Sequence, residues 1–217
     1  MDKTPTGRAP MKKICLILLI LLLISALVIG GMYGYLHYAD GGFCRNVPQE
    51  EKEQRMQIVI AAQNWLGAKE GSRAHTDIID IYNSHTPLAQ DYTVTPEDNW
   101  CAAYVSAVAI SCGMTDIIPT ECGCQRQIGL WETMGQWMED DNYMPLPGDY
   151  IYYSWDEEFS FRDCNGWSNH VGIVVGTKGP FIKVIEGNKS DSVSYRILLR
   201  GHHQIRGYGI PNYEKTP

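Results

Sequence analysis

Asn99-Trp100-Cys101-Ala102-Ala103-Tyr104-Val105-Ser106-Ala107-Val108-Ala109-Ile110-Ser111-Cys112-Gly113 is the most apolar stretch in the C-terminal four-fifths of this chain. Its length and its flanks predict a buried helix over Cys101–Cys112, with Asp98 or Asn99 as the cap and Gly113 as the stop. A cysteine in the first turn of such a helix meets free amide N–H groups and the positive end of the helix dipole. Both favour thiolate over thiol. The same amides can hold a developing oxyanion. Ala102 and Ala103 are small enough to let the helix lie close to a neighbouring sheet.

Before this stretch the chain reads as helical. Glu50–Leu66 carries Met56, Val59, Ile60, Gln63 and Leu66 at three-to-four spacing, with Glu50, Glu51 and Glu53 near its start. Gly67 and Gly71 bracket its end, and Arg73–Asn99 is polar and mixed with a short helix around Ile78–Tyr82. A further amphipathic helix is expected over Ile128–Met138. Then the character changes. Tyr150–Tyr153, Val171–Val175 and Phe181–Ile185 are β-rich runs between turn signals, and Tyr195–Leu199 and the region around Tyr208 add strands. Helices first and strands later predict an α+β domain with N-terminal helices packed on an antiparallel sheet.

That order also brings chemistry together. Ser168-Asn169-His170-Val171-Gly172-Ile173-Val174-Val175 sets a histidine at the start of a buried strand. Val184-Ile185-Glu186-Gly187-Asn188 ends the next strand with a carboxylate and an amide on one face. Hairpin-like pairing of the two strands places one of these beside His170. Together with Cys101 they form a nucleophile, a base and an orienting group. Each alone has a plainer reading: a small buried thiol, a strand-end histidine, a turn.

The front of the 217-residue chain is different. Ile14–Gly31 is a run of apolar and small residues broken only by Cys15 and Ser25, nearly long enough to cross a ~30 Å hydrocarbon core. Lys3, Arg8, Lys12 and Lys13 precede it, which predicts a cytoplasmic N-terminus and an extracytoplasmic remainder. Tyr33, Tyr35, His37 and Tyr38 follow as an interfacial belt. Val28 and Gly30 make a poor cleavage signal, so a retained anchor is favoured over a cleaved signal peptide and secretion. The organisation is then a basic N-terminus over 1–13, a membrane segment over 14–36, a linker over 37–49 and a working domain over 50–217. A formal net charge of −7 argues against a nucleic-acid partner and against tight binding of acidic polymers.

Besides Cys15 and Cys101, five cysteines remain at 44, 112, 122, 124 and 164. An exported chain permits disulfides, and an odd number leaves one without a partner in the chain. Cys122 or Cys124 is expected to pair with Cys164, and Cys112 to be buried. The Cys122-Gly123-Cys124 spacing is a poor match to zinc motifs. Asp91, Glu97 and Asp98 do not make a dense calcium loop. No metal and no cofactor are expected. His75, His85, His202 and His203 read as surface or loop residues, and Trp65, Trp131 and Trp137 as core. Trp100, Trp155 and Trp167 are candidates for the substrate cleft.

The ordered set Trp100–Ser106, Pro147-Gly148-Asp149, His170–Val174, Ile185–Asn188 and Gly207-Tyr208-Gly209 resembles the CHAP family of cysteine, histidine-dependent amidohydrolases/peptidases. The resemblance spans roughly Met56 to Tyr213. It implies a papain-like α+β fold and hydrolysis of amide bonds in peptidoglycan, by amidase or peptide-endopeptidase action. By motif, Cys101 is the nucleophile, His170 the base and later the acid, and Glu186 the residue that orients the imidazole. Asn188 is an accessory polar group near the oxyanion or the histidine. The cysteine-containing stretch Thr120–Gln127 and the acidic loop Asp156–Trp167 depart from the family pattern and are expected to rim the cleft. Two other readings compete: a silent wall-binding or scaffold module on the same fold, and a thiol amidase acting on another amide.

Overall fold

The computed structural model describes residues 9–37, 42–154 and 166–215. The chain divides into two compact units, Met1–Tyr38 and Ala39–Pro217.

The described residues of the first unit form one helix, α1 (Ala9–His37). Its span Lys13–Gly31 is long and apolar enough to cross a membrane, at about 28 Å for 19 helical residues. Ser25 is made compatible with such a span by donating its hydroxyl back to the Leu22 carbonyl at 2.8 Å.

The second unit is α+β. Its described helices are α2 (Gln49–Gln63), α3 (Arg73–Ser84), α4 (Cys101–Ser111) and α5 (Cys124–Thr133). Its strands are β1 (Trp137–Met138), β2 (Tyr150–Tyr153), β3 (His170–Lys178), β4 (Phe181–Glu186), β5 (Ser194–Leu199) and β6 (Ile205–Gly209). They form one antiparallel sheet in the order β1-β6-β2-β3-β4-β5. β2 matches the β-rich run read from sequence at both ends, and β3 and β4 extend the runs around Val171 and Phe181.

The core has two parts because the strands alternate. Tyr150, Tyr152, Val171, Ile173 and Ile185 join the helices in the larger cluster. Ile151, Tyr153, Val174 and Val184 face a smaller one. α4 is buried around its whole circumference, from Cys101 to Ala109, as expected of a helix that is apolar on every face.

Four local readings change. In α2 the buried stripe is Arg55, Ile58, Val59 and Ala62, while Ile60, and Leu66 beyond the helix's end, are about half exposed. The stripe is turned because Arg55, a charged residue, is the one drawn inward. The short helix expected at Ile78–Tyr82 is α3, which begins at Arg73, where the Ser72 hydroxyl accepts from the His75 N–H. α5 starts four residues before the expected Ile128, and Trp137 and Met138 leave it to pair with β6. Asp98 does not cap α4. Its carboxylate closes the preceding turn, accepting from Thr95 N–H and the Tyr92 hydroxyl at 2.8 Å each.

Arg55 explains Pro147-Gly148-Asp149. Its Nη1 donates to Asp149 Oδ1 at 2.7 Å and to the Pro147 carbonyl at 3.1 Å, and its Nε to Glu51 at 2.7 Å. Asp149 Oδ2 accepts from the Leu146 N–H and from the Tyr143 hydroxyl, both at 2.8 Å. The guanidinium lies over the Tyr213 ring at 4.6 Å. This buried cluster ties α2, the turn before β2 and the C-terminal segment together.

Breaking one half of a buried ion pair leaves the other charge uncompensated. Arg55→Met should therefore cost about 3–5 kcal/mol of stability. Urea unfolding of the full chain in mild detergent, followed by tryptophan fluorescence, measures this. All six tryptophans lie in the second unit, so the signal reports on it alone. An unchanged midpoint would show that the cluster is not load-sharing.

Candidate active site

α4 presents Cys101 at its first turn, and the sheet presents the partners. His170 opens β3 and Glu186 closes β4, so antiparallel pairing sets them at the same end of the sheet. His170 Nε2 lies 2.7 Å from Glu186 Oε2. With that nitrogen committed to the carboxylate, Nδ1 is the ring nitrogen left for the Cys101 sulfur, with which His170 shares a hydrogen bond. Tyr153 stacks on the imidazole, with centroids 5.7 Å apart and planes 23° apart. Glu186 is fully buried, and Cys101 and His170 are nearly so.

Two glycines make this approach possible. A Cβ on Gly187 would sit 2.6 Å from the Tyr104 Cβ, so only glycine lets the end of β4 rest against α4. A Cβ on Gly172 would lie 2.9 Å from the Tyr153 hydroxyl and the Ile185 carbonyl. Its absence makes room for the ring that flanks His170.

A second sulfur stands beside the first. Cys124, at the start of α5, places its Sγ 3.6 Å from the Cys101 Sγ. The loop that delivers it is clamped to α4. Ser106 donates to the Glu121 carbonyl at 2.8 Å and accepts from its N–H at 3.0 Å. Gln127 Nε2 donates to the Pro119 carbonyl at 2.8 Å, and its Oε1 accepts from the Tyr152 hydroxyl at 2.9 Å.

These contacts separate the two thiols. The hydrogen bond from Cys124 is the largest influence holding the Cys101 pKa well below the usual thiol range. Burial opposes it, while the hydrogen bond and charge of His170 and the Ala102 N–H add to it. Bonding to Cys101, then burial, pushes Cys124 well up, so it stays the donor. Burial works against a charged His170, yet hydrogen bonds and charges from Cys101 and Glu186 push it up to about 9. Both shifts favour a thiolate–imidazolium pair over two neutral groups.

Two cavities meet at Cys101. One, of about 410 Å³, is lined by Asn99, Cys101, His170, Asn188, Lys189 and Arg196 among others. The other, of about 300 Å³, is lined by Cys101, Cys124, Gln125, Arg126 and Trp167 among others. A third, of about 490 Å³, continues from Asn99 and Arg126 along Gln90, Tyr92 and Asp98. None of the reactive groups borders it.

The structure brings Cys101, His170 and Glu186 together. Asn188 sits at the rim with left-handed backbone, φ 56°, and its Nδ2 donates to Asn99 Oδ1 at 3.2 Å. It thus borders the cavity of the sulfur and the imidazole, with Asn99 as its hydrogen-bond partner. Trp167 is exposed and lines the second cavity. Trp100 does not. It is fully buried, donates to Glu70 at 3.2 Å and packs on His75 with centroids 4.7 Å apart. The reason is its place at the entry to α4, where the chain turns into the core. His75 is likewise buried, accepting at Nδ1 from Gly71 N–H, and burial pushes its pKa down. Trp155, Cys164 and most of the acidic loop, residues 155–165, lie outside the described residues. Cys44, Cys112, Cys122 and Cys124 are free thiols here. Cys112 is half-buried, which pushes its pKa to about 11. Among the described residues no cluster of three metal-binding side chains occurs.

No protein-family model matches the chain, and no curated protein does. Among solved structures, the crystal structure of Ly7917 is similar at 14% identity, over 73% of this chain and 62% of that one, with a TM-score of 0.33. The chain thus spans less than two thirds of the length of Ly7917. Likeness at that TM-score bears on neither fold nor function.

If Cys124 sharpens the Cys101 thiolate, Cys124→Ala should move the pH of half-maximal Cys101 alkylation upward. Iodoacetamide labelling across a pH series, read at the Cys101 peptide by mass spectrometry, checks it. An unmoved profile would mean that His170 and the helix amides suffice.

Proposed function

We propose that this chain is a membrane-anchored, extracytoplasmic thiol hydrolase that cleaves amide bonds of peptidoglycan. The observation that carries the reading is the contact between Cys101 and His170, with the imidazole backed by buried Glu186, where two cavities meet. The ordered motifs shared with the CHAP family support the substrate class and a papain-like arrangement. Support for the location comes from the apolar span Lys13–Gly31 and the basic residues Lys3, Arg8, Lys12 and Lys13 around its start, which favour a cytoplasmic N-terminus.

The chemistry follows from the geometry. The Cys101 thiolate attacks the carbonyl carbon of an amide, forming a carbon–sulfur bond. The electron pair moves to the carbonyl oxygen. First-turn amides of α4, which lack partners within the helix, face that charge. The intermediate collapses, the carbon–nitrogen bond breaks, and His170 protonates the departing amine. Water then attacks the thioester, with neutral His170 taking its proton, and Cys101 leaves as thiolate. Glu186 holds the ring in one orientation and one tautomer throughout. Asn99 and Asn188 offer side-chain amides at the rim for the substrate's own peptide groups. Activity should rise with pH as the Cys101 thiolate forms and fall as His170 loses its proton near pH 9.

The test is digestion of peptidoglycan by the full chain in mild detergent, beside Cys101→Ala and His170→Ala. A reductant keeps Cys101 and Cys124 as thiols. New N-terminal alanine on released peptides identifies an amidase, and cut stems or bridges an endopeptidase. Cys101→Ala should abolish turnover, and His170→Ala should lower it by about 10³-fold. Equal blank digests from all three folded proteins, on several wall types, would overturn the assignment.

A further inference from the structure

Glu186 is fully buried, and its two oxygens are divided between two neighbours. Oε2 faces His170 Nε2 at 2.7 Å, and Oε1 accepts from Arg196 Nε at 2.5 Å. Arg196 reaches it across the sheet. In the β4–β5 register Arg196 pairs with Val184 and Ser194 pairs with Glu186, so the arginine is the diagonal neighbour on the same face. About a quarter of its side chain is exposed, and it borders the cavity that holds Cys101 and His170. The sequence motifs do not single it out.

A carboxylate anchored at one oxygen can still turn about its last bond. Anchored at both, from strands on either side, its plane is fixed. Without Arg196 one oxygen of a buried carboxyl loses its donor. The carboxylate is then free to turn towards the cavity, which draws its charge away from His170.

We propose that Arg196 is a positioning residue that acts through Glu186 to hold the His170 imidazole in line with Cys101. The inference rests on reading Cys101 and His170 as the reactive pair. The experiment reads the imidazole itself and needs no turnover, so failure to cut peptidoglycan and failure of this inference are separate results.

The sign of the effect discriminates between roles. A guanidinium acting only as a nearby positive charge disfavours imidazolium, so its loss would raise the His170 midpoint. A guanidinium that positions Glu186 favours imidazolium, so its loss would lower it. The other groups around the ring are Cys101 on α4 with Cys124 behind it on α5, Tyr153 on β2 and Glu186 on β4. Lys189 borders the same cavity. Replacing Arg196 alone removes the donor of Glu186 and leaves the other groups in place.

The measurement is an NMR titration of ¹³C-labelled histidine in the full chain in detergent micelles, with His170 assigned by His170→Gln. In Arg196→Gln the midpoint should fall from about 9 towards the ordinary histidine value of about 6.5. Arg196→Lys, which keeps the charge but not the fixed fork, should restore part of the difference. In a Glu186→Gln background, Arg196→Gln should change nothing further, since the path runs through Glu186. An unchanged or raised midpoint in Arg196→Gln, or additive effects in the double variant, would overturn the proposal. Should Arg196→Gln fail to fold, Arg196→Lys decides: a lowered midpoint supports positioning, and the wild-type midpoint overturns it.

Discussion

Tyr104 packs directly on the backbone at Gly187, and that contact lets α4 lie flush on the end of β4. The distance between helix and sheet is set there. A side chain at 187 would lever the helix outward and take the Cys101 sulfur away from the imidazole. The small residues Ala102 and Ala103, both fully buried, keep the same spacing along the first turn of the helix. Everything chemical in this molecule sits downstream of that close approach.

Two buried carboxylates show how one device serves two ends. Asp149 and Glu186 are both fully buried, and each accepts from an arginine. The second carboxylate oxygen separates them. In Asp149 it accepts from a backbone N–H and a tyrosine hydroxyl, so the whole cluster is spent on holding α2, a turn and the C-terminal segment. In Glu186 it faces an imidazole that also contacts a thiol at a cavity mouth. Charge that in one place only braces the fold can in the other be passed on to a reacting group.

The sulfur pair adds a second theme. α4 and α5 both begin with cysteine, and their first residues converge. One thiol donates to the other, so two chemically identical groups acquire opposite characters. The clamp through Ser106, Glu121 and Gln127 explains why this is a rigid arrangement and not an accident of two loops. Ser106 is a polar residue in an otherwise apolar helix, and its bonds to Glu121 fix where α5 starts.

Local pattern alone determined a good deal. The apolar span before residue 32, the helix opened by Cys101, the strand limits at Tyr150–Tyr153 and the α+β order were legible. Each depends on the period and composition of a contiguous stretch. Cys101, His170 and Glu186 were legible as candidates because motif order maps onto helix and strand ends. The tertiary structure alone decided which groups flank them. Cys124 lies 23 residues from Cys101 and looked like a disulfide partner for a distant loop. Arg196 carried no motif. Trp100 neighbours Cys101 in sequence but turns into the core, and His75 follows it there. The inward turn of Arg55, which rotated the buried face of α2, is set by Asp149 more than ninety residues away. Pairing of charges, thiols and rings across elements depends on distances between segments, and no local periodicity encodes those.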